Sequence, residues 1–135
     1  MGIASPLLTP MAGLDASTPV PTEIKLHQTS RVLEMSFANG STFRLPYEYL
    51  RVHSPSAEVR GHGPGQETLQ TGKEAVGITE VETVGHYAIR PVFTDGHNSG
   101  IYSWDYLYDL GVRKSELWQS YLERMTAAGA SRKAG

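Results

Sequence analysis

Asn39-Gly40 stands between two runs whose apolar residues recur at every second position, and this pattern restricts the chain more than any other feature. Arg31 to Phe37 sets Leu33, Met35 and Phe37 on one face, and Thr42 to Leu45 resumes after the turn. Successive side chains of an extended strand point to opposite faces, so a period of two marks a strand with one buried side. Asn-Gly tolerates the positive φ angles that a tight hairpin imposes. The two runs are therefore expected to pair antiparallel. Glu23 to His27 alternates in the same way ahead of them. Ile78 to Val84 and Tyr87 to Phe93 flank Gly85-His86 and predict a second hairpin. Pro91 has no N–H to give a ladder, so its strand is expected to lie at an edge or to contain a bulge. Asp95-Gly96 marks a further turn before Ile101-Tyr102.

The rest of the regular structure is expected to be helical. Pro46 closes the third strand and suits the first turn of a short helix carrying Tyr47, Leu50 and Arg51. Ser103 can cap a helix with Trp104, Leu107, Tyr108 and Leu110 on its apolar side, and Gly111 is expected to end it in the left-handed conformation. From near Ser115, Leu117, Trp118, Tyr121, Leu122 and Met125 form an apolar stripe that Gly129 stops. The expected class is α+β: an antiparallel sheet built from hairpins with two or three C-terminal-side helices packed on it. Residues 1–20 read as a disordered tail, 21–128 as a single α+β domain, and 129–135 as a flexible tail. Ser54 to Val76 has no period and is broken by Pro55, Gly61, Gly63, Pro64, Gly65 and Gly72. Loops of that length in a small domain are functional or disordered.

Composition excludes several classes of function. The chain has 135 residues, 39% of them apolar, and a net charge of -2 with histidines neutral. Basic residues form no block, so neither nucleic acid nor an anionic membrane is an expected partner. The absence of cysteine removes disulfides and thiolate metal sites and fits a reducing cytoplasm. No apolar run approaches the roughly 20 residues of a membrane helix. The first basic residue is Lys25, so the start lacks the basic region of a secretory signal.

Motifs for chemistry are sparse. Thr71-Gly72-Lys73-Glu74 resembles the end of a phosphate loop, but Glu67 stands where its first glycine belongs and Glu74 where its magnesium-binding hydroxyl belongs. The five histidines are His27, His53, His62, His86 and His97, and none pairs at a spacing that sets two ligands on one metal. A Ser54, His97 and Asp95 triad can be drawn, but no nucleophile elbow supports it. The most suggestive stretch runs from Ser54 to Gly65. In it Glu58, Arg60 and His62 occupy alternate positions, which point one way in extended chain.

Leu50-Arg51, the stretch Ser54-Pro55-Ser56-Ala57-Glu58-Val59-Arg60-Gly61-His62, Val84-Gly85-His86-Tyr87-Ala88, Asp95-Gly96-His97 and Gly100-Ile101-Tyr102-Ser103-Trp104 together resemble the gamma-butyrobetaine hydroxylase-like N-terminal domain family. The resemblance covers about residues 22–110. It implies a domain that precedes a catalytic barrel in some dioxygenases without supplying their iron ligands. The same domain is appended to iron–sulfur carrier ATPases and also stands alone in bacteria as a domain of unknown function; this chain is similar to the stand-alone form. The dioxygenase version holds a structural zinc on three cysteines and a later histidine. The corresponding positions here are Ser54, Ser56, Val59 and His97, so the resemblance implies loss of that zinc.

The expected function is a non-catalytic binding or accessory domain without a cofactor. Its proposed binding residues are Arg51, Glu58, Arg60, His62, His97, Tyr102 and Trp104. By the resemblance, an iron–sulfur assembly protein or a metabolic enzyme is the expected kind of protein partner. The alternative is a metal-binding protein, or an accessory to a metal-dependent oxidoreductase, with a site drawn from His53, His62 and His97. A third reading is a homodimer formed through edge strands.

Overall fold

The computed structural model describes residues 18–61 and 66–134, so most of the expected N-terminal tail lies outside the described residues. In chain order the elements are β1 (Pro21–His27), β2 (Val32–Phe37), β3 (Thr42–Pro46), α1 (Tyr47–Val52), α2 (Ala57–Arg60), β4 (Ile78–Val84), β5 (Ala88–Phe93), β6 (Tyr102–Ser103), α3 (Trp104–Val112) and α4 (Lys114–Ala127). The fold is α+β, with two three-stranded antiparallel sheets, ordered β1-β2-β3 and β4-β5-β6. Each hairpin read from the alternation is present, but the hairpins build two sheets rather than one.

The first sheet pairs Leu33 with Leu45 and Met35 with Phe43, so the residues of the expected apolar face meet across strands. Leu33, Met35 and Leu45 are fully buried. The Asn39-Gly40 loop is wider than a two-residue turn. Gly40 alone takes a positive φ there, +90°, and the Phe37 N–H bonds to the Ser41 carbonyl at 2.8 Å. The reason is tertiary: Asn39 Nδ2 donates to the Tyr108 hydroxyl of α3 at 3.0 Å, which holds the loop tip open against the helix. In the second sheet β6 pairs only with Ala88 and Ile89, so Pro91 lies beyond the end of that ladder. On its other side β4 carries an irregularity between Ile78 and Glu80. β5 is therefore the central strand and the irregularity belongs to β4, contrary to the expected edge or bulge; Pro91 is accommodated because the β6 ladder stops at Ile89.

Inner faces of both sheets close on one core with α1 and α3, which includes Leu33, Met35, Leu45, Leu50, Ile78, Ile89 and Leu107. Burying side chains of this size contributes about 1.5–3 kcal/mol each in gross terms. A second cluster of Val52, Tyr121 and Met125 joins α4 to the end of α1. Ser103 caps α3 by accepting the Tyr106 N–H at 3.3 Å, as its position predicts. Gly111 does not end that helix. α3 runs on to Val112, and a Cβ at residue 111 would lie 2.3 Å from Phe43 Cγ. This glycine is there for close packing against β3, not for a turn. Gly129, with φ +64°, follows α4 as expected. Residues 131–134, which composition alone assigns to a free tail, lie back on the domain. The Ser131 and Arg132 carbonyls accept the Gly72 and Glu74 N–H groups, and Arg132 makes two 2.8 Å bonds to Glu48.

Candidate functional site

The aperiodic segment is fastened where α1 ends. Ser56 caps the single turn of α2 by accepting the Glu58 N–H at 3.2 Å, and this turn brings residues 54–60 against the loop between β5 and β6. That loop carries His97. The Phe93 N–H bonds to the His97 carbonyl at 3.0 Å, and the His97 N–H bonds to Asp95 Oδ1 at 3.2 Å, so the ring is aimed inward. Gly100 permits the approach: a Cβ there would sit 2.4 Å from Ser54 Oγ.

Three side chains then form a hydrogen-bonded chain. Ser54 Oγ lies 2.8 Å from His97 Nε2, and His97 Nδ1 lies 3.2 Å from Glu58 Oε1. The carboxylate can only accept, so Nδ1 carries the ring proton and Nε2 accepts from the serine hydroxyl. Ser54 also takes the Ser56 N–H at 3.2 Å, and Ser56 Oγ meets Ser99 Oγ at 2.7 Å. Burial pushes the His97 pKa below its usual value, Arg51 adds to this, and Glu58 and Asp95 oppose it. Among the described residues no buried side-chain polar atom lacks a partner.

The connectivity is that of a nucleophile, a base and an orienting acid, with Glu58 rather than Asp95 in the third place. Asp95 is engaged elsewhere: Oδ2 accepts from Arg51 at 2.9 Å and from Lys73 at 2.6 Å. Partial burial alone would raise its pKa, but Lys73, the His97 N–H and Arg51 outweigh that and lower it to about 2. Ser54 is 1% exposed, and its oxygen already accepts a backbone N–H. A nucleophile must be reached by its substrate within about 3–3.5 Å, which this burial prevents. The geometry locks the loop, with the Ser54 oxygen buried and already bonded.

The sequence-derived binding residues divide into two groups. Arg51, Tyr102 and Trp104 are buried and bonded internally: Arg51 to Asp95 and Gln70, the Tyr102 hydroxyl to the Leu50 carbonyl at 2.5 Å, and Trp104 Nε1 to the His86 carbonyl at 2.7 Å. They build the platform and present little surface. Glu58, whose side chain is 70% exposed, and Arg60 face outward. His97 joins the two groups from beneath. His62 lies outside the described residues.

The metal candidates do not converge among the described residues, where no group of three possible ligands occurs. Both ring nitrogens of His97 are engaged, and His53 Nδ1 bonds to the Tyr49 carbonyl at 2.9 Å. Nor do the positions implied by the resemblance fit zinc. Val59 offers no donor atom, and the hydroxyls of Ser54 and Ser56 are neutral oxygens bound to protein partners, where a structural zinc takes thiolate or imidazole.

Sequence reading did not single out Arg124, Leu69 or Gln70, which with Tyr121, His53 and Arg60 line a cleft on the far side of α2. No local motif marks them, because α4 reaches this region only through the core.

A family model described as gamma-butyrobetaine hydroxylase-like, N-terminal, matches residues 24–108. Two solution NMR structures resemble the chain with TM-scores of 0.77. One is 46% identical over 88% of this chain and 94% of its own, and the other 49% identical over 94% and 92%. A crystal structure of a protein of unknown function from Acidithiobacillus ferrooxidans, described as belonging to the DUF971 family, is 45% identical over 67% of this chain and 91% of its own, with a TM-score of 0.58. No curated protein matches.

Proposed function

Because the chain belongs to the gamma-butyrobetaine hydroxylase-like N-terminal family, we propose that it is a non-catalytic protein-binding module whose contact surface is the outer side of the 54–60 loop. One observation carries this reading. The Ser54–His97–Glu58 chain fixes an otherwise irregular segment on the second sheet and leaves Glu58 and Arg60 directed outward. A loop already ordered before association loses less conformational entropy when a partner binds. Loops held by a rigid scaffold are also where binding residues concentrate.

The exposed carboxylate and guanidinium suit a partner that offers opposite charges in the same order. The resemblance favours an iron–sulfur assembly protein or a metabolic enzyme as that partner. Arg51, Tyr102 and Trp104 act beneath the surface as its support.

The test is affinity capture from cell extract with the full chain and with the charge reversals Glu58→Lys and Arg60→Glu. A stoichiometric protein held by the wild type and lost by both folded variants supports the reading. Wild type that captures nothing stoichiometric, or variants that hold the same partner equally well, overturn it.

A further inference from the structure

The cleft behind α2 has the chemistry of a small-ligand site. Its volume is about 360 Å³, within the range of sites that enclose small molecules. Two cations stand on its walls. The Arg60 guanidinium lies 4.8 Å from the centroid of the Tyr106 ring, and that of Arg124 lies 6.0 Å from Tyr121. Among the described residues neither arginine forms an ion pair. A guanidinium has five donors; Arg60 turns one toward the Tyr106 hydroxyl, and the remaining edge matches the two oxygens of a carboxylate.

The tyrosine hydroxyls are already engaged. Tyr106 donates to the His53 carbonyl at 2.5 Å and Tyr121 to the Gln70 carbonyl at 2.6 Å. What the two tyrosines offer the cleft is therefore ring surface, continued by Val59 and Leu69. His53 lines the same space. Its Nδ1 faces the Tyr49 carbonyl and must donate, which leaves Nε2 as an acceptor with no donor among the described residues. Burial, reinforced by Arg124 and Arg60, keeps the ring neutral by lowering its pKa. Glu67 is exposed at the rim and makes no ion pair with either arginine. The cleft between α1 and α4 differs: there Arg132 is already paired with Glu48, so its charge is neutralised within the protein.

We propose that this cleft binds a small organic carboxylate with a flat, partly apolar body and a hydroxyl at its other end. The anion would lie between Arg60 and Arg124, the body against Tyr106 and Tyr121, and the hydroxyl toward His53. This goes beyond the protein-binding reading, because it requires Arg124 on α4, which the loop surface does not include.

The experiment is an amide NMR titration of the full chain with 4-hydroxybenzoate. The neutral 4-hydroxybenzamide and inorganic phosphate serve as the uncharged and the bodiless comparisons. The expected result is saturable shifts at His53, Leu69, Gln70 and Tyr106, with both comparison compounds binding at least about tenfold more weakly. Arg124→Gln, an exposed substitution, should weaken 4-hydroxybenzoate by about tenfold, the loss expected for one charge-assisted hydrogen bond. Glu80→Gln, an exposed change on β4 outside the lining of the cleft, should leave the titration unchanged. Absence of saturable shifts at millimolar probe, equal binding of the benzamide, equal binding of phosphate, or an unaltered affinity in Arg124→Gln would each overturn the proposal.

Discussion

Replacing Ser54 by alanine should cost this domain a large part of its stability, although it removes a single oxygen. The hydroxyl gives His97 Nε2 its hydrogen at 2.8 Å and accepts the Ser56 N–H at 3.2 Å. Ser54 and His97 are 1% and 6% exposed, so water does not readily replace either bond. Each group left unsatisfied costs about 1–3 kcal/mol. With the longer bond taken at the low end, the sum is about 2–4 kcal/mol, against a total of roughly 5–15 kcal/mol for a domain of ordinary stability. Urea unfolding followed by circular dichroism should show the midpoint falling by about 1–2 M with an unchanged slope. His97→Ala and the double variant complete a cycle in which the coupling between the two residues should be about 1–2 kcal/mol. A second readout is independent of stability. The serine hydrogen bond favours the neutral ring, so the His97 pKa measured by NMR should rise in Ser54→Ala. A stability loss below about 0.5 kcal/mol, or a coupling near zero, would mean that the Ser54–His97 bond does not hold the loop.

Gly111→Ala should destabilise by about 1–3 kcal/mol in thermal or urea unfolding, despite alanine's advantage within a helix, because the new methyl would meet the Phe43 ring at 2.3 Å; a stabilised variant would refute the packing role. Arg132→Ala should cost about 2–3 kcal/mol and accelerate hydrogen exchange at Gly72 and Glu74, since it leaves the buried Glu48 carboxylate without its two bonds; unchanged exchange would show that the C-terminal segment does not dock. Stability should fall in two stages on acidification. The folded-state pKa values of His53 and His97 lie below the unfolded value near 6.5, so the unfolded chain takes up protons first and stability declines as pH drops through that value. Asp95, at about 2 in the fold against 3.8, adds a second loss as pH falls from about 5 toward 2, reduced by its partial exposure to solvent. Denaturant midpoints measured across pH 2–8 that showed no decline between 7.5 and 5.5 would contradict the first stage.

Strands β1 to β5, the capped α3, the amphipathic α4 and its Gly129 stop were legible in the sequence, because each depends on spacing over a few residues; Glu58 and Arg60, expected on extended chain, stand instead on the single turn of α2. Alternation fixes which side of a strand is buried, and Ser103 caps a helix through an N–H only three residues on. Local spacing misassigned Gly111, whose neighbour Phe43 lies 68 positions earlier in the chain, and gave the Asn39-Gly40 loop too tight a turn, since Tyr108 shapes it. The candidate sites stand further from the sequence. Ser54 and His97 are both conspicuous as residues, yet the acid that completes their chain is Glu58, while the nearer Asp95 turns to Arg51 and Lys73. Arg60 and Arg124 share a cleft only because Tyr121 and Met125 pack α4 against Val52. Short-range geometry is set by backbone sterics and periodic burial, which the order of residues contains outright. Which distant side chains meet is set by how the two sheets of the described residues close on one core with α1 and α3 while α4 docks through a second cluster, and only that closure assigned the polar groups their partners.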